Sequence, residues 1–314
     1  MASIPFSHIS VLLGECIDGL NIRDGYTYVD CTTGGGGHSL EIAKRLGKNS
    51  RLICFDRDSD AIQAAKERLK DYLDKITFVN SNFLELGQVL KELKISNLGG
   101  VLADLGCSSH QFDCPERGFS YSHEAKLDMR MEKDAPLSAY EVVNNYSEED
   151  LKRIIYEYGE ERYAPRIAGA IVKARSVKPV FSTLELACII KGAIPAASRI
   201  DGPHPAKRTF QAIRIEVNSE LDTIKPMIND ASEHLVAGGR IAIISFHSLE
   251  DRIVKLAYRE LSKGCTCPKD FPICVCGKKP TLKETTKKPI LPSDEELEFN
   301  PRSRSAKLRI AEKI

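Results

Sequence analysis

Short apolar runs alternate with amphipathic segments over the first third of the chain. Runs rich in β-branched and aromatic residues predict strands, and apolar residues three or four positions apart predict the helices between them. The segment Ser59–Leu73 has the helical spacing, with Asp58 or Ser59 placed as its N-cap. This alternation favours a parallel sheet with helices on both faces. The predicted strands are Tyr28–Thr32, Arg51–Asp56, Ile76–Asn80 and Gly100–Asp104.

The alternation stops after the fourth strand. Residues 107–136 have few apolar runs, and residues 137–200 have helical spacing, with Ser138 and Ser147 as predicted N-caps. We interpret the chain as an α/β domain interrupted by a helical insertion. The predicted domains are 1–110, the first part of the α/β domain; 111–212, a mainly helical insertion for substrate recognition; and 213–314, the second part of the α/β domain.

Strand-type sequence returns in the last third of the chain. A helix at Ser219–Leu235 and a strand at Gly239–Phe246 are predicted there. Two further strands, Thr286–Leu291 and Lys307–Glu312, are expected to complete the edge of the sheet.

A glycine-rich turn follows the first predicted strand. Asp30 ends that strand, and Gly34–Gly37 lead through His38 into a helical pattern. Strand, glycine turn and helix start form the layout of a nucleotide-binding loop. A second acid, Asp56, follows about 20 residues later, where it can accept hydrogen bonds from ribose hydroxyls. The segment therefore predicts an adenosine-type cofactor.

The glycine spacing helps to choose between two cofactors. A dinucleotide site has the pattern G-x-G-x-x-G; Gly34 and Gly36 fit it, but Ser39 occupies the third position. S-adenosylmethionine has no pyrophosphate, and its carboxylate suits the N–H groups of a helix start. Asp30 would then pair with its ammonium group, directly or through water.

Two more strand ends carry candidate cofactor contacts. Phe83, after the third predicted strand, can stack on an adenine ring, although most such aromatic residues belong to the core. Asp104 ends the fourth strand, where ligands of α/β sheets meet the reacting atoms. Capping of a helix is the alternative role of Asp56.

Composition bounds the class of protein. The chain has 314 residues, 42% hydrophobic and 28% charged, which suits a globular protein of about two domains. The sequence has no run of ~18 apolar residues, so no transmembrane helix is predicted, and no signal peptide is recognised. Ten scattered cysteines then favour reduced thiols and a cytoplasmic location, without membrane association.

The net charge of +1 is unevenly distributed. Residues 151–215 contain twelve Lys and Arg against five Asp and Glu, a net of +7. Such a segment suits a polyanionic partner, and a solvated helical face is the alternative.

Several blocks of the sequence resemble one family, the ribosomal RNA small-subunit methyltransferase H family, also called MraW. The match runs nearly from end to end. Its main blocks are Asp30–His38, Phe55–Asp58, Asp104–Ser109, Arg117–Ser120, Leu127–Met131, Tyr158–Arg162, His204–Arg214, Val217–Leu221, Ser245–Arg252 and Asn300–Ser305.

The resemblance implies a class I S-adenosylmethionine-dependent methyltransferase, with a Rossmann-like sheet and an inserted helical domain. It also implies a target, N4 of a specific cytidine in the decoding region of 16S rRNA, which we expect to be bound within the small ribosomal subunit. The cofactor positions that it implies are Gly35, Gly36, Gly37, His38, Asp56, Phe83, Asp104 and Gln111.

The reaction requires a group that accepts a proton from the cytosine amine, and Asp104 is the candidate catalytic residue. Basic side chains beside an aromatic ring suit phosphate contact and base stacking. Arg214 has a structural ion pair as its alternative role, and His247 a helix-start position. The candidate RNA-binding residues are Lys207, Arg208, Phe210, Arg214 and His247.

A C-x-C pair occurs twice near the C-terminus. Four thiolates can hold a tetrahedral zinc ion, but structural zinc pairs are usually C-x-x-C and the family's reaction needs no metal. Structural zinc, free thiols and an oxidised artefact therefore remain open for Cys265, Cys267, Cys274 and Cys276.

Two other classes of function remain as alternatives. An NAD-type dehydrogenase is disfavoured by Ser39 at the third glycine position. A non-catalytic RNA-binding protein would bind RNA without consuming S-adenosylmethionine.

Overall fold

The computed structural model describes residues 9–199, 202, 204–265, 267 and 276–314. They form two compact units, which we call the helical unit, Cys107–Glu220, and the sheet unit, residues 9–106 with Leu221–Ile314. These divisions lie four and eight residues from the predicted ones at 110/111 and 212/213. Cys274 lies outside the described residues.

The sheet unit is built on seven described strands, of which the first four lie within two residues of their predicted bounds. The strands are β1 Thr27–Asp30, β2 Arg51–Phe55, β3 Ile76–Val79, β4 Leu98–Asp104, β5 Leu235–Ser245, β6 Leu282–Glu284 and β7 Lys307–Lys313.

The strand order is β3-β2-β1-β4-β5-β7-β6. Strands β1 to β5 pair in parallel, whereas β7 is antiparallel to both β5 and β6. This arrangement is that of the class I methyltransferase fold, as predicted. It differs from the dinucleotide-binding order 3-2-1-4-5-6, because β7 is inserted between β5 and β6.

Burial on both faces explains the continuous apolar sequence of the central strands. Successive strand residues point to opposite faces of a sheet. Tyr28 and Leu102 accordingly belong to one buried cluster, and Val29 and Val101 belong to another.

Thirteen α-helices are present among the described residues. Three predicted N-caps are confirmed: the side chains of Asp58, Ser138 and Ser147 accept bonds from backbone N–H groups of the first helical turn. The helices are α1 Leu13–Leu20, α2 Gly37–Arg45, α3 Ser59–Arg68, α4 Leu86–Glu92, α5 Ser109–Asp113, α6 Ala139–Asn145, α7 Glu148–Glu157, α8 Ala164–Arg175, α9 Thr183–Ala193, α10 Lys207–Asn218, α11 Ile224–His234, α12 Ser248–Ser262 and α13 Asp294–Phe299.

Two predicted elements of the last third are wrong in position. The helix predicted from Ser219 begins at Ile224, because Ser219 has a left-handed φ of 49° and ends the preceding helix. The strand predicted at Thr286–Leu291 is reduced to one bridge between Ile290 and Leu308. Pro289 has no amide hydrogen for a ladder bond, and β6 lies earlier.

The helical unit has its own hydrophobic core. Apolar faces of α6 to α10 supply fully buried residues such as Ile154, Ile171, Ile190 and Ile213. Packing of these apolar faces against one another stabilises the helices of the unit. No described helix has the length and apolar character that a membrane span requires.

Candidate functional site

Three carboxylates lie at the carboxyl ends of neighbouring parallel strands. Asp30 is the last residue of β1, Asp56 follows β2, and Asp104 is the last residue of β4. Because β1 pairs with both β2 and β4, these ends meet at one edge of the sheet. Ligands of open α/β sheets bind at this edge.

Asp30 fixes the start of the glycine loop. Its Oδ1 accepts a bond from the backbone N–H of Thr32 at 3.1 Å, and its Oδ2 accepts one from the Ser39 hydroxyl at 2.6 Å. Ser39, which breaks the dinucleotide pattern, therefore ties helix α2 to the end of β1. Burial raises the pKa of Asp30 to about 6, although both hydrogen bonds oppose the shift.

Asp56 is bound to the loop from the neighbouring strand. Its Oδ2 accepts the backbone N–H of Gly34 at 2.8 Å, and its Oδ1 accepts that of Asp58 at 2.9 Å. Burial raises the pKa of Asp56 to about 6. The N-cap of α3 is Asp58, so the alternative capping role belongs to that residue and leaves Asp56 at the predicted ribose position.

The glycines allow a close approach of backbone segments. Gly34 and Gly36 have positive φ values of 51° and 78°, and a side chain on Gly36 would lie 3.3 Å from the backbone of Ala65. Gly36 is the N-cap of α2 and Gly37 its first residue, so Gly35 to His38 line the start of that helix. Helix starts bind carboxylates through their N–H groups.

His38 is a buried, neutral ring. Its Nε2 lies 3.0 Å from the carbonyl oxygen of Val11, and since a carbonyl only accepts, Nε2 carries the proton. Burial lowers the pKa of His38 to about 4. Its Nδ1 therefore presents a lone pair, 3.8 Å from Oδ2 of Asp104. The ring thus anchors the N-terminal segment, while its other nitrogen faces the strand-end carboxylates.

Asp104 has unused hydrogen-bonding capacity. Its backbone N–H donates to the Thr32 hydroxyl at 2.6 Å, which fixes the end of β4 against the glycine loop. Its Oδ1 is buried and has no hydrogen-bond partner among the described residues. Burial, followed by the charges of Asp30 and Glu250, raises the pKa of Asp104 well above its usual range. A ligand that donates a hydrogen bond or carries positive charge would satisfy this oxygen.

The sign of the charge discriminates between the two cofactors. In the described part of the chain, no lysine or arginine forms a salt bridge with Asp30, Asp56 or Asp104. The ammonium and sulfonium groups of S-adenosylmethionine would supply the missing positive charge. A pyrophosphate would instead add negative charge beside three carboxylates. These residues therefore fit S-adenosylmethionine.

Two other predicted cofactor residues have structural roles. Phe83 is 7% exposed and belongs to the core cluster that includes Phe55, so its ring packs inside the unit. Gln111 is the third residue of α5, in the helical unit, and its Oε1 accepts the backbone N–H of Ser108 in a capping box.

The predicted RNA-binding residues of α10 divide into two groups. Lys207 and Arg208 are exposed, and Arg208 also donates to the carbonyl of Glu160 at 3.0 Å. Phe210 is 3% exposed in the core of the helical unit. Arg214 makes two bonds of 2.9 Å to the carboxylate of Glu220. The structure thus gives Phe210 a packing role and Arg214 its alternative role, a structural ion pair.

His247, in the sheet unit, is the N-cap of α12. Its Nδ1 accepts the backbone N–H of Glu250 at 3.5 Å, and the Glu250 carboxylate accepts the N–H groups of Phe246 and His247. This is the helix-start role that the sequence left open.

Sequence reasoning missed the contributions of Thr32 and Glu250. Thr32 acts on Asp104, 72 positions away in sequence, and Glu250 acts on the same carboxyl group through its charge; only Glu250 had a local signal, its position three residues after an N-cap.

Three described cysteines of the C-terminal cluster lie together. The sulfur atoms of Cys265, Cys267 and Cys276 are all within 4.8 Å of one another.

Comparison with known proteins identifies the family of this chain. The profile of the MraW methylase family matches residues 5–314. A protein of Clostridioides difficile named ribosomal RNA small subunit methyltransferase H is 57% identical, covering 99% of this chain and all of its own length. The protein of the same name from Brevibacillus brevis is 55% identical, with complete coverage of both chains.

A solved rRNA methylase from Streptococcus thermophilus is also similar. It is 12% identical, covers 98% of this chain and 99% of its own, and has a TM-score of 0.44. The matches in sequence confirm the predicted resemblance and S-adenosylmethionine as the cofactor, and they do not favour the dehydrogenase alternative. The chain belongs to the MraW methylase family and is an S-adenosylmethionine-dependent methyltransferase.

Proposed function

We propose that this protein methylates N4 of a specific cytidine in the decoding region of 16S rRNA. The proposed RNA substrate is supported by one observation. Relatives named ribosomal RNA small subunit methyltransferase H are 54–57% identical over 99–100% of this chain and the whole of their own length. The proposed substrate is the small subunit or its RNA.

The chemistry requires positioning of the amine and removal of a proton. The lone pair of a cytosine amine is delocalised into the ring, so the amine is a weak nucleophile. S-adenosylmethionine supplies an electrophilic methyl group. The chain must hold the amine in line with that group and accept hydrogen bonds from its N–H groups.

Asp104 is the proposed acceptor. Its buried Oδ1, without a partner among the described residues, is suited to accept an N–H bond. Its raised pKa makes the carboxylate a stronger base than an exposed aspartate. The bond from its backbone N–H to the Thr32 hydroxyl holds the end of β4 in place.

The remaining loop residues are proposed to bind the cofactor. Gly35, Gly36, Gly37 and His38 lie at the start of α2, where N–H groups suit a carboxylate. Asp56 is proposed to accept bonds from the ribose hydroxyls. Phe83 and Gln111 act indirectly, by shaping the core behind β3 and the start of α5.

The helical unit, which spans the predicted 111–212 insertion, is proposed to recognise the RNA. The exposed Lys207 and Arg208 suit phosphate contacts, which position RNA without reading its sequence. Reaching a structured cytidine would require the base to leave its stack.

The direct test is methyl transfer from labelled S-adenosylmethionine to small subunits that lack the modification, followed by nucleoside analysis. We expect label in N4-methylcytidine, at one position of 16S rRNA. Label in protein or on a carbon atom would refute the reaction. Parallel reactions with free 16S rRNA and assembled subunits would distinguish the two substrates. RNA binding without consumption of S-adenosylmethionine would favour the non-catalytic alternative.

A further inference from the structure

The connection between α12 and β6 contains the cysteine cluster, which the methyl transfer does not use. The base of this connection is closed, because Thr281 donates its backbone N–H to the carbonyl of Leu261 at 2.9 Å. Cys265, Cys267 and Cys276 lie between these two residues in sequence, and their sulfur atoms converge within 4.8 Å. We propose that these three thiolates bind a structural zinc ion that holds this connection.

The distances between sulfur atoms suit zinc. In a tetrahedral site with Zn–S bonds of about 2.3 Å, neighbouring sulfur atoms are separated by about 3.8 Å. The sulfur atoms of Cys265 and Cys276 are 3.7 Å apart. A disulfide requires about 2.05 Å, so the observed pair is not bonded in that way.

The surrounding backbone suits a metal-bound thiolate. The backbone N–H of Cys267 donates to the sulfur of Cys265 at 3.4 Å. Bonds of this kind orient metal ligands and stabilise their negative charge. Lys263, Lys278 and Lys279 flank the cluster in sequence and would offset the charge of a zinc–thiolate complex.

The exposure of the cluster indicates a structural role. Cys265 and Cys276 are exposed and Cys267 is half-buried, so burial in a core contributes little to the association of these three side chains. Zinc would hold them together, because metal binding to thiolates contributes directly to folding. Three thiolates leave a fourth position on the ion for another ligand.

The first test is metal analysis of the full-length protein. The protein should be purified without chelator, metal-affinity resin or added zinc, and analysed by inductively coupled plasma mass spectrometry. We expect about one zinc per chain, as for a structural site. Less than about one tenth of a zinc per chain, both as purified and after incubation with zinc alone and dialysis, would overturn the proposal.

Variants identify the ligands. Cys265→Ser and Cys276→Ser should each lose most of the bound zinc, whereas Cys188→Ser should retain it, because Cys188 is an exposed cysteine of α9 outside the cluster. Retention of zinc by both cluster variants would overturn the assignment. If a variant fails to fold, titration of the wild-type protein with a mercurial provides the same information: zinc should be released as the cluster thiols react.

Cobalt substitution tests the geometry. Cobalt at this site should give intense thiolate-to-metal charge transfer in the near ultraviolet and the visible bands of tetrahedral coordination. An octahedral spectrum without charge transfer would refute a thiolate site. The test is independent of the proposed function, because neither metal content nor spectrum depends on methyl transfer.

Discussion

Replacement of Ser39 by alanine tests how the glycine loop is held. Ser39 is fully buried, and its hydroxyl donates to the nearly fully buried Asp30 at 2.6 Å. A hydrogen bond to a charged group contributes about 1.5–3 kcal/mol, against about 0.5–1.5 kcal/mol between neutral groups. The cost of the substitution should therefore depend on whether Asp30 is ionised.

The direction of the pH dependence follows from the pKa of Asp30. Burial raises that pKa to about 6, so the carboxyl is mostly neutral at pH 5 and ionised at pH 8. The Ser39 bond favours the ionised form, and its loss raises the pKa further. Ser39→Ala should therefore lower the unfolding free energy by about 1 kcal/mol at pH 5 and by about 2 kcal/mol at pH 8.

Urea denaturation without cofactor, followed by circular dichroism at both pH values, measures this difference. Ser232→Ala is the matched control, because Ser232 is also buried in a helix but donates to a hydroxyl, that of Thr281. Its cost should be the same at both pH values. An equal cost of Ser39→Ala at pH 5 and pH 8 would refute the charge-assisted bond.

Three further changes test the site. Asp104→Asn should lower turnover at saturating cofactor by about 100-fold or more if the carboxylate accepts a proton, and near-normal turnover would leave it only a cofactor contact. In the wild-type protein, the raised pKa of Asp30 stabilises the fold at low pH, and about 3 kcal/mol of this stability is lost as the pH rises from about 4 through 6. Asp30→Asn should remove this pH dependence. Urea midpoints with the same pH dependence as those of the wild type would contradict the prediction. Arg214→Ala should lower the unfolding free energy by about 3 kcal/mol, because the 5% exposed carboxylate of Glu220 loses its two bonds to the guanidinium. Lys207→Ala should leave stability unchanged and reduce the salt dependence of RNA binding by about one charge; equal effects on thermal stability would contradict the division of α10 into two groups.

The sequence by itself determined the local elements and the identity of the strand-end acids. Short apolar runs predicted β1, β2 and β4, because strands buried on both faces require continuous apolar residues. The glycine turn and the acids after the strands depend on local backbone geometry and are readable in sequence. Phe83 and Arg214 were ambiguous at that level, since an aromatic ring or an arginine has the same local pattern in a core as at a surface.

Only the tertiary structure decided how these groups act. Ser39 meets Asp30 and Thr32 meets Asp104 because parallel strands bring distant segments to one edge. The same packing removes water from the carboxylates, which raises their pKa values. A cationic ligand would therefore stabilise their ionised forms. Desolvation depends on every neighbour in space, so the sequence can name the acids of this site but not their charge.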